Sequence, residues 1–319
     1  RRKSTYFYAD GYEDGGGHLY DYHTFDFDRV SDSGSLKVRL GQNVQVYADF
    51  DSYTKRGASI TTLDLNRIEF EFDKPVNETN REIAVGVNLN YKGWSLAFEE
   101  RVQDYENENG FFLPGYMDGG EGARYPSDLL YFTQNQPYEL KTYNHIFRLN
   151  ARPIGGLLIK GVAHLSDMDM SLAYDEAASG TDYTNRPFEY DSSGKGEFQR
   201  KMNLLDLDLT YLLTNKFAVV GAIRNNTFKQ EGNMTVDGDR MDQDFGYDTL
   251  GVDAGLQYHA TPGFTVTGGY RFEERKLENL QTYMYEDQTR RNGLFGSVDW
   301  NIRRVFHLNL DYQYGDFKD

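Results

Sequence analysis

At 319 residues and 36.8 kDa the chain is long enough for one large all-β domain or two smaller ones. Its 34 basic and 50 acidic residues leave a net charge of −16, which argues against a nucleic-acid partner, since phosphate binding needs a cationic surface. The absence of cysteine removes disulfides, thiolate metal sites and Cys nucleophiles, and no run of about 18 apolar residues marks a membrane helix.

In chain order, Thr5 to Ala9 reads as a short strand and His18 to Asp28 as a second. From Leu36 to Phe50 one parity is apolar (Leu36, Val38, Leu40, Val44, Val46, Ala48, Phe50) and reads as a single strand interrupted only by Gln42. Between Ile60 and Phe72 the apolar parity switches, and a bulge near Asn66-Arg67 restores the phase. The clearest unit is NREIAVGVNLNYKGWSLAFEERV, residues 80 to 102: Ile83, Val85, Val87 and Leu89 alternate with small or polar residues, Lys92-Gly93 makes a two-residue turn, and Trp94, Leu96 and Phe98 return. Its period of two is that of a β-hairpin. A soluble sandwich packs such apolar faces against a second sheet, whereas a membrane barrel turns them to lipid.

The same alternation marks strands at Phe147–Ala151, Leu157–Leu165, Leu205–Tyr211, Phe217–Ile223, Leu250–Tyr258, Phe264–Phe272, Leu294–Trp300 and Phe306–Tyr314, with no helix of about ten residues. Compact turns near 55–59, 92–93, 153–156, 214–216, 260–263 and 301–304 alternate with longer polar connections at 30–34, 74–80, 104–139, 174–197, 225–246 and 274–292. One rim of short turns and one of long loops is the asymmetry of an outer-membrane barrel. The expected fold is therefore all-β, an antiparallel up-and-down transmembrane β-barrel with about fourteen strands visible, as one domain over 1–319. On this count both chain ends fall at the long-loop rim, which implies a portion of a larger barrel.

No HExxH, P-loop or G-x-S-x-G segment is present, so these named routes to enzyme chemistry lack support. The six histidines are scattered. Asp206 and Asp208 lie opposite Leu205, Leu207 and Leu209, at a spacing that would suit an acid/base pair or a cation site, but the plainer reading is the wet wall of a barrel. With them, Glu99, Arg101, Lys160, Arg224, Asp253, Arg271, Glu273, His307 and Asp311 are the candidate lumen-facing residues, of both signs. The stretch NMTVDGDRMDQD, 233 to 244, is acidic and Gly-containing like a calcium loop but lacks EF-hand spacing, so a solvated loop is the plainer reading. Glu100 falls on the apolar parity, which calls for a bulge at Glu99-Glu100 or an early exit from the hydrocarbon. Tyr91, Trp94, Tyr211, Phe217, Tyr258, Phe264, Trp300 and Phe306 flank compact turns and form a candidate aromatic girdle at one membrane interface.

Tyr-rich strands, acidic connections and hairpins such as GYRFEERKLENLQTYMYEDQTRRNGLFGSVDWNI, 269 to 302, make the chain resemble a bacterial outer-membrane β-barrel. Within that class it resembles the MtrB/PioB-like porin barrels that sheathe multihaem cytochromes in electron conduits. The resemblance implies a multi-pass protein of the outer membrane, in contact with its lipid and lipopolysaccharide, that insulates a cytochrome and catalyses nothing. It also implies a barrel of more than twenty strands. Without a CxxCH sequence this chain attaches no haem covalently, so any haem belongs to the partner. Two other readings remain: a diffusion porin, with Asp104–Glu139 and its FFLPGY segment (111–116) as an inward constriction loop, and a soluble β-rich adhesion or sugar-binding protein.

Overall fold

The computed structural model describes residues 2–8, 21–65, 68–113, 117–118, 127–182, 184–279, 285–302 and 306–318. They form one antiparallel sheet. Its main path runs through β1 (Arg2–Tyr8), β2 (Asp21–Leu40), β3 (Val44–Leu65), β4 (Ile68–Tyr91) and β5 (Trp94–Asn107). Three short strands, β6 (Gly110–Phe112), β7 (Met117–Asp118) and β8 (Asp128–Asn135), lie off the path. It resumes with β9 (Tyr138–Ala151), β10 (Leu157–Thr181), β11 (Pro187–Leu212), β12 (Phe217–Val236) and β13 (Asp239–Thr261), and ends with β14 (Phe264–Asn279), β15 (Tyr285–Ile302) and β16 (Phe306–Lys318). Each main-path strand pairs with its neighbours in sequence, a meander. Among the described residues the path is open from β1 to β16, so the sheet is a meander of the barrel type without a closing pair.

The alternation located the strands wherever one face is apolar. From Leu157 to Leu165 the odd-numbered positions of β10 are apolar or glycine over about 26 Å of strand, comparable with the roughly 25 Å apolar band of a membrane barrel. Val85, Leu205 and Leu256 on this face are 46%, 46% and 59% exposed, whereas Ala84, Glu99, Ala222 and Asp253 on the other are 4%, 7%, 8% and 8%. A sheet curved toward its polar face gives this inequality, because side chains converge on the concave side.

The structure corrects the reading of residues 36–50 as one strand. Gly41, with φ of 74°, turns the chain, and Leu40 pairs with Val44. A three-residue turn between strands of matched parity leaves the apolar alternation unbroken, which hid it. The bulge expected at Asn66-Arg67 is likewise a reversal between strands, because Leu65 pairs with Ile68 and Leu63 with Phe70; residues 66–67 themselves lie outside the described residues. The expected turn at 55–59 lies within β3, and the expected connections at 30–34 and 74–80 lie within β2 and β4. With these changes β1 and β16 both run away from the compact-turn rim, so the chain ends do not share the long-loop rim as expected.

The long connections on the other rim are also paired. β10 and β11 stay in register out to Thr181 and Pro187, and β12 and β13 close at Asp237-Gly238, whose φ values of 52° and 88° suit a two-residue hairpin turn. The calcium-like stretch at 233–244 is therefore a hairpin. Its Asp237 accepts from Ser192 Oγ at 2.9 Å and Ser193 N at 2.8 Å, and no group of His, Cys, Asp and Glu that could hold a metal occurs among the described residues.

Most of the described residues of the expected constriction loop at 104–139 are strand too. β6 pairs with β8, and β8 continues the lane of β9 along β10 after a break at Gln136-Pro137, where proline removes a donor. Phe111 pairs with Gln134; positions 114–116 of FFLPGY lie outside the described residues.

At the far rim Asp182 accepts from Thr184 Oγ1 at 2.7 Å, Arg186 N at 2.9 Å and Thr184 N at 2.8 Å. These bonds, the Thr184 hydroxyl first, hold its carboxyl below the usual carboxylate range. A lowered folded value means the turn gains from the ionised form above the ordinary Asp range and loses that gain as pH falls through the folded value. The protection factors of the Thr184 and Arg186 amides, which take out the intrinsic pH dependence of exchange, are expected to be high at neutral pH and to fall below about pH 4. Asp182→Asn should lower them at neutral pH; protection factors that do not change with pH in the unaltered chain would contradict this.

Candidate functional site: a charged wall on the polar face

Cross-strand register gathers the candidate residues of β10 to β14 into one group. Lys160 pairs with Asp208, Asp206 with Arg224, Asp208 with Ala222, Ala222 with Asp253, and Asp253 with Arg271. All have the parity opposite Leu205, Leu207 and Leu209. Asp253 is the hub. It accepts from Arg224 Nη1 at 2.6 Å and from Arg271 Nε and Nη2 at 2.7 and 2.8 Å. Such charge-assisted bonds are shorter and stronger than neutral ones.

Arg224 also stands 3.6 Å from Asp206 Oδ1 and 3.6 Å from Asp208 Oδ1. Asp206 Oδ1 is shielded from solvent without a hydrogen bond, so its stabilisation is Coulombic. The group borders an open recess of about 410 Å³ that Lys160, Asp208, Arg224, Asp253, Arg271 and Asp311 help to line. Glu273 lines an adjoining recess with Asp206 and Arg271.

Glu99 and Arg101 make a second group. Arg101 donates to Glu99 at 3.0 Å and also reaches Glu82 at 3.0 Å. The Tyr47 hydroxyl donates to the other Glu99 oxygen at 2.7 Å. Tyr47 lies across Gly86, where an added Cβ would stand 2.3 Å from its ring. Gly86→Val is expected to swing Tyr47 off Glu99 and cost about 1–3 kcal/mol; an unchanged urea midpoint would contradict the packing.

His307 stays apart from both groups, 3.0 Å from Asn301 and 3.7 Å from Asp299 beside a compact turn. Sequence reading missed Tyr47, Glu82 and His145. The signal for the first two was parity alone, which does not say who meets whom until the register is known.

On the apolar face Tyr91, Trp94, Tyr211, Phe217, Tyr258, Phe264 and Trp300 sit beside compact turns. Phe217 and Tyr258 have ring centroids 4.9 Å apart, and Phe264 and Trp300 meet edge-on at 5.8 Å. Phe306 pairs with Ile302, and its side chain lies outside the described residues. Glu100 needs no bulge: the ladder is continuous through Val85–Glu100 and Gly86–Glu99, and the carboxylate is paired with His145 across the next strand.

Several solved structures match along most of the chain at low identity. The ferric yersiniabactin uptake receptor FyuA from Yersinia pestis is 11% identical with a TM-score of 0.45, the match covering 93% of this chain and 56% of the receptor. The Pseudomonas putida toluene transporter TodX is 10% identical with a TM-score of 0.34, over 90% of this chain and 81% of the transporter. A Pseudomonas aeruginosa FadL homologue is 10% identical with a TM-score of 0.37, over 93% and 70%. No curated protein matches in sequence. The family model for the outer membrane beta-barrel porin MtrB/PioB matches residues 25–316, a span that contains the charged wall and runs from within β2 into β16, and the chain belongs to that family.

Proposed function

We propose that the chain is a passive wall: its sheet closes as part of a barrel, its apolar face meets lipid, its charged face lines the lumen, and the lumen houses a multihaem cytochrome. Membership of a family of outer-membrane β-barrel porins supports a multi-pass transport role in that membrane, among its lipid and lipopolysaccharide, without catalysis. The observation that carries the proposal is the self-neutralisation of the wall. Asp253 lies between two arginines and Arg224 among three carboxylates, so the charges are used on one another. A wall of this kind supports an aqueous or protein-filled interior without offering a lone acid, base or nucleophile. Because the sequence has no cysteine, c-type haem would have to be attached to the partner.

A second reading, diffusion of a small solute, is favoured by the recess of about 410 Å³ beside Arg224 and Asp253, which is open and polar. One comparison separates them. A sheath isolated natively should carry a haem protein and move electrons across a liposome only with that protein present. A solute pore should give steady conductance alone in a planar bilayer and show no haem absorbance in the native complex.

A further inference from the structure

Followed away from the compact turns, the two faces of β10 to β13 exchange character. Near those turns the apolar side chains share one face and the charges the other. Farther along, the charge-bearing parity runs into Met168, Phe198, Met202, Phe228, Phe245 and Tyr247. No Asp or Glu occupies that parity over 162–174, 194–204, 226–236 or 241–251. The acids of these stretches, such as Asp167, Asp169, Glu197, Glu231, Asp242 and Asp244, all have the opposite parity.

A sheet that rises out of lipid into water has no reason to place its acids outside and its methionines and aromatics inside unless the inside is covered. The inner side chains are only partly buried, Phe245 remaining 38% exposed. Phe228 stacks on Tyr247 at 5.3 Å with 13° between the planes, and meets Phe245 at 5.9 Å. Arg200 lies over Phe228 at 5.5 Å and Arg275 over Tyr247 at 5.2 Å. Arg200 donates to the neutral Gln230, and among the described residues the ion pairs of the wall include neither guanidinium. The patch is thus aromatic and methionine-rich with cationic heads, a composition common in binding surfaces.

We propose that this patch, Met168 to Tyr247 on the inner face with Arg200 and Arg275, is where the enclosed partner protein docks, through an apolar surface bordered by carboxylates. The inference rests on the reading of the chain as a wall around an occupant. It adds where the occupant is gripped: above the apolar belt, by rings and arginines, and not by the ion-paired Asp253 group, whose charges are already satisfied.

The test uses the native complex with a photo-crosslinking amino acid at position 228 or 202, and at 229 or 201 on the opposite parity as controls. Irradiation is expected to join positions 228 and 202 to the haem-carrying chain and to leave 229 and 201 unjoined. Arg200→Glu combined with Arg275→Glu should lower the haem recovered per barrel by about tenfold, with the lysine replacements retaining most of it. A haem-containing complex that crosslinks at neither 228 nor 202 would overturn the docking site while sparing the sheath. Crosslinks from 228 into this same chain would show that one of its own segments, or a second copy, covers the patch, and would overturn it too. A native complex with no haem protein removes the sheath reading and the docking site together.

Discussion

Leu207→Arg is expected to destabilise the lipid-embedded protein by about 2–4 kcal/mol, the cost of a cation near the bilayer midplane of a barrel. Leu207 lies between Leu205 and Leu209 on the outward parity of β11, paired with Gly161 and Ile223, with apolar neighbours on either side. An arginine there has no carboxylate among its cross-strand neighbours on that face and must snorkel or draw water inward. Asp208→Asn, one residue away, keeps a polar side chain on the charge-bearing face and should change stability by less than about 1 kcal/mol. Urea titrations of the protein refolded into vesicles read both. Equal effects at the two positions would mean that the faces are not separated by lipid and water.

Asp253→Leu is expected to cost about 1–3 kcal/mol. Removing one member of a buried ion pair costs about 3–5 kcal/mol when the remaining charge is shut away from water. Here the side chains of Arg224 and Arg271 are 47% and 28% exposed, so solvent screens part of the loss. Arg224 keeps Asp206 and Asp208 at 3.6 Å, whereas Arg271 loses both bonds to its acceptor. The double replacement Asp253→Leu with Arg271→Leu should therefore recover much of the stability, and a double variant as unstable as the sum of the singles would show that the pair is not coupled.

The membrane-level half of each strand was legible because lipid enforces a strict period of two. Residues 83–91 and 94–102 read from the sequence as they pair in the sheet, down to the Lys92-Gly93 turn. Above the belt no lipid contact holds the outer parity apolar, uncharged polar residues occur on both parities while the acids of 162–174, 194–204, 226–236 and 241–251 keep to one, and the signal fades although the backbone remains paired. That is why 174–197, 225–246 and 274–292 read as loops and are long hairpins. The missed turn at Gly41 shows the converse failure, a pattern that survives a chain reversal. For the charged wall, parity placed Asp206, Asp208, Arg224, Asp253 and Arg271 on one face, but a partner such as Tyr47 for Glu99 is 52 residues away and needs the register of three strands. The inversion of the two faces above the belt was present in the sequence as well, hidden because those stretches were read as unpaired.

The most direct test of the two-faced wall is a pair of nitroxide labels at positions 207 and 208, with the protein reconstituted in lipid vesicles. The account predicts that the label at 207 relaxes faster with oxygen, which concentrates in lipid, and the label at 208 with a water-soluble nickel chelate, the preference alternating through positions 205 to 211. Uniform accessibility to either quencher, or a preference with a period other than two, would contradict it.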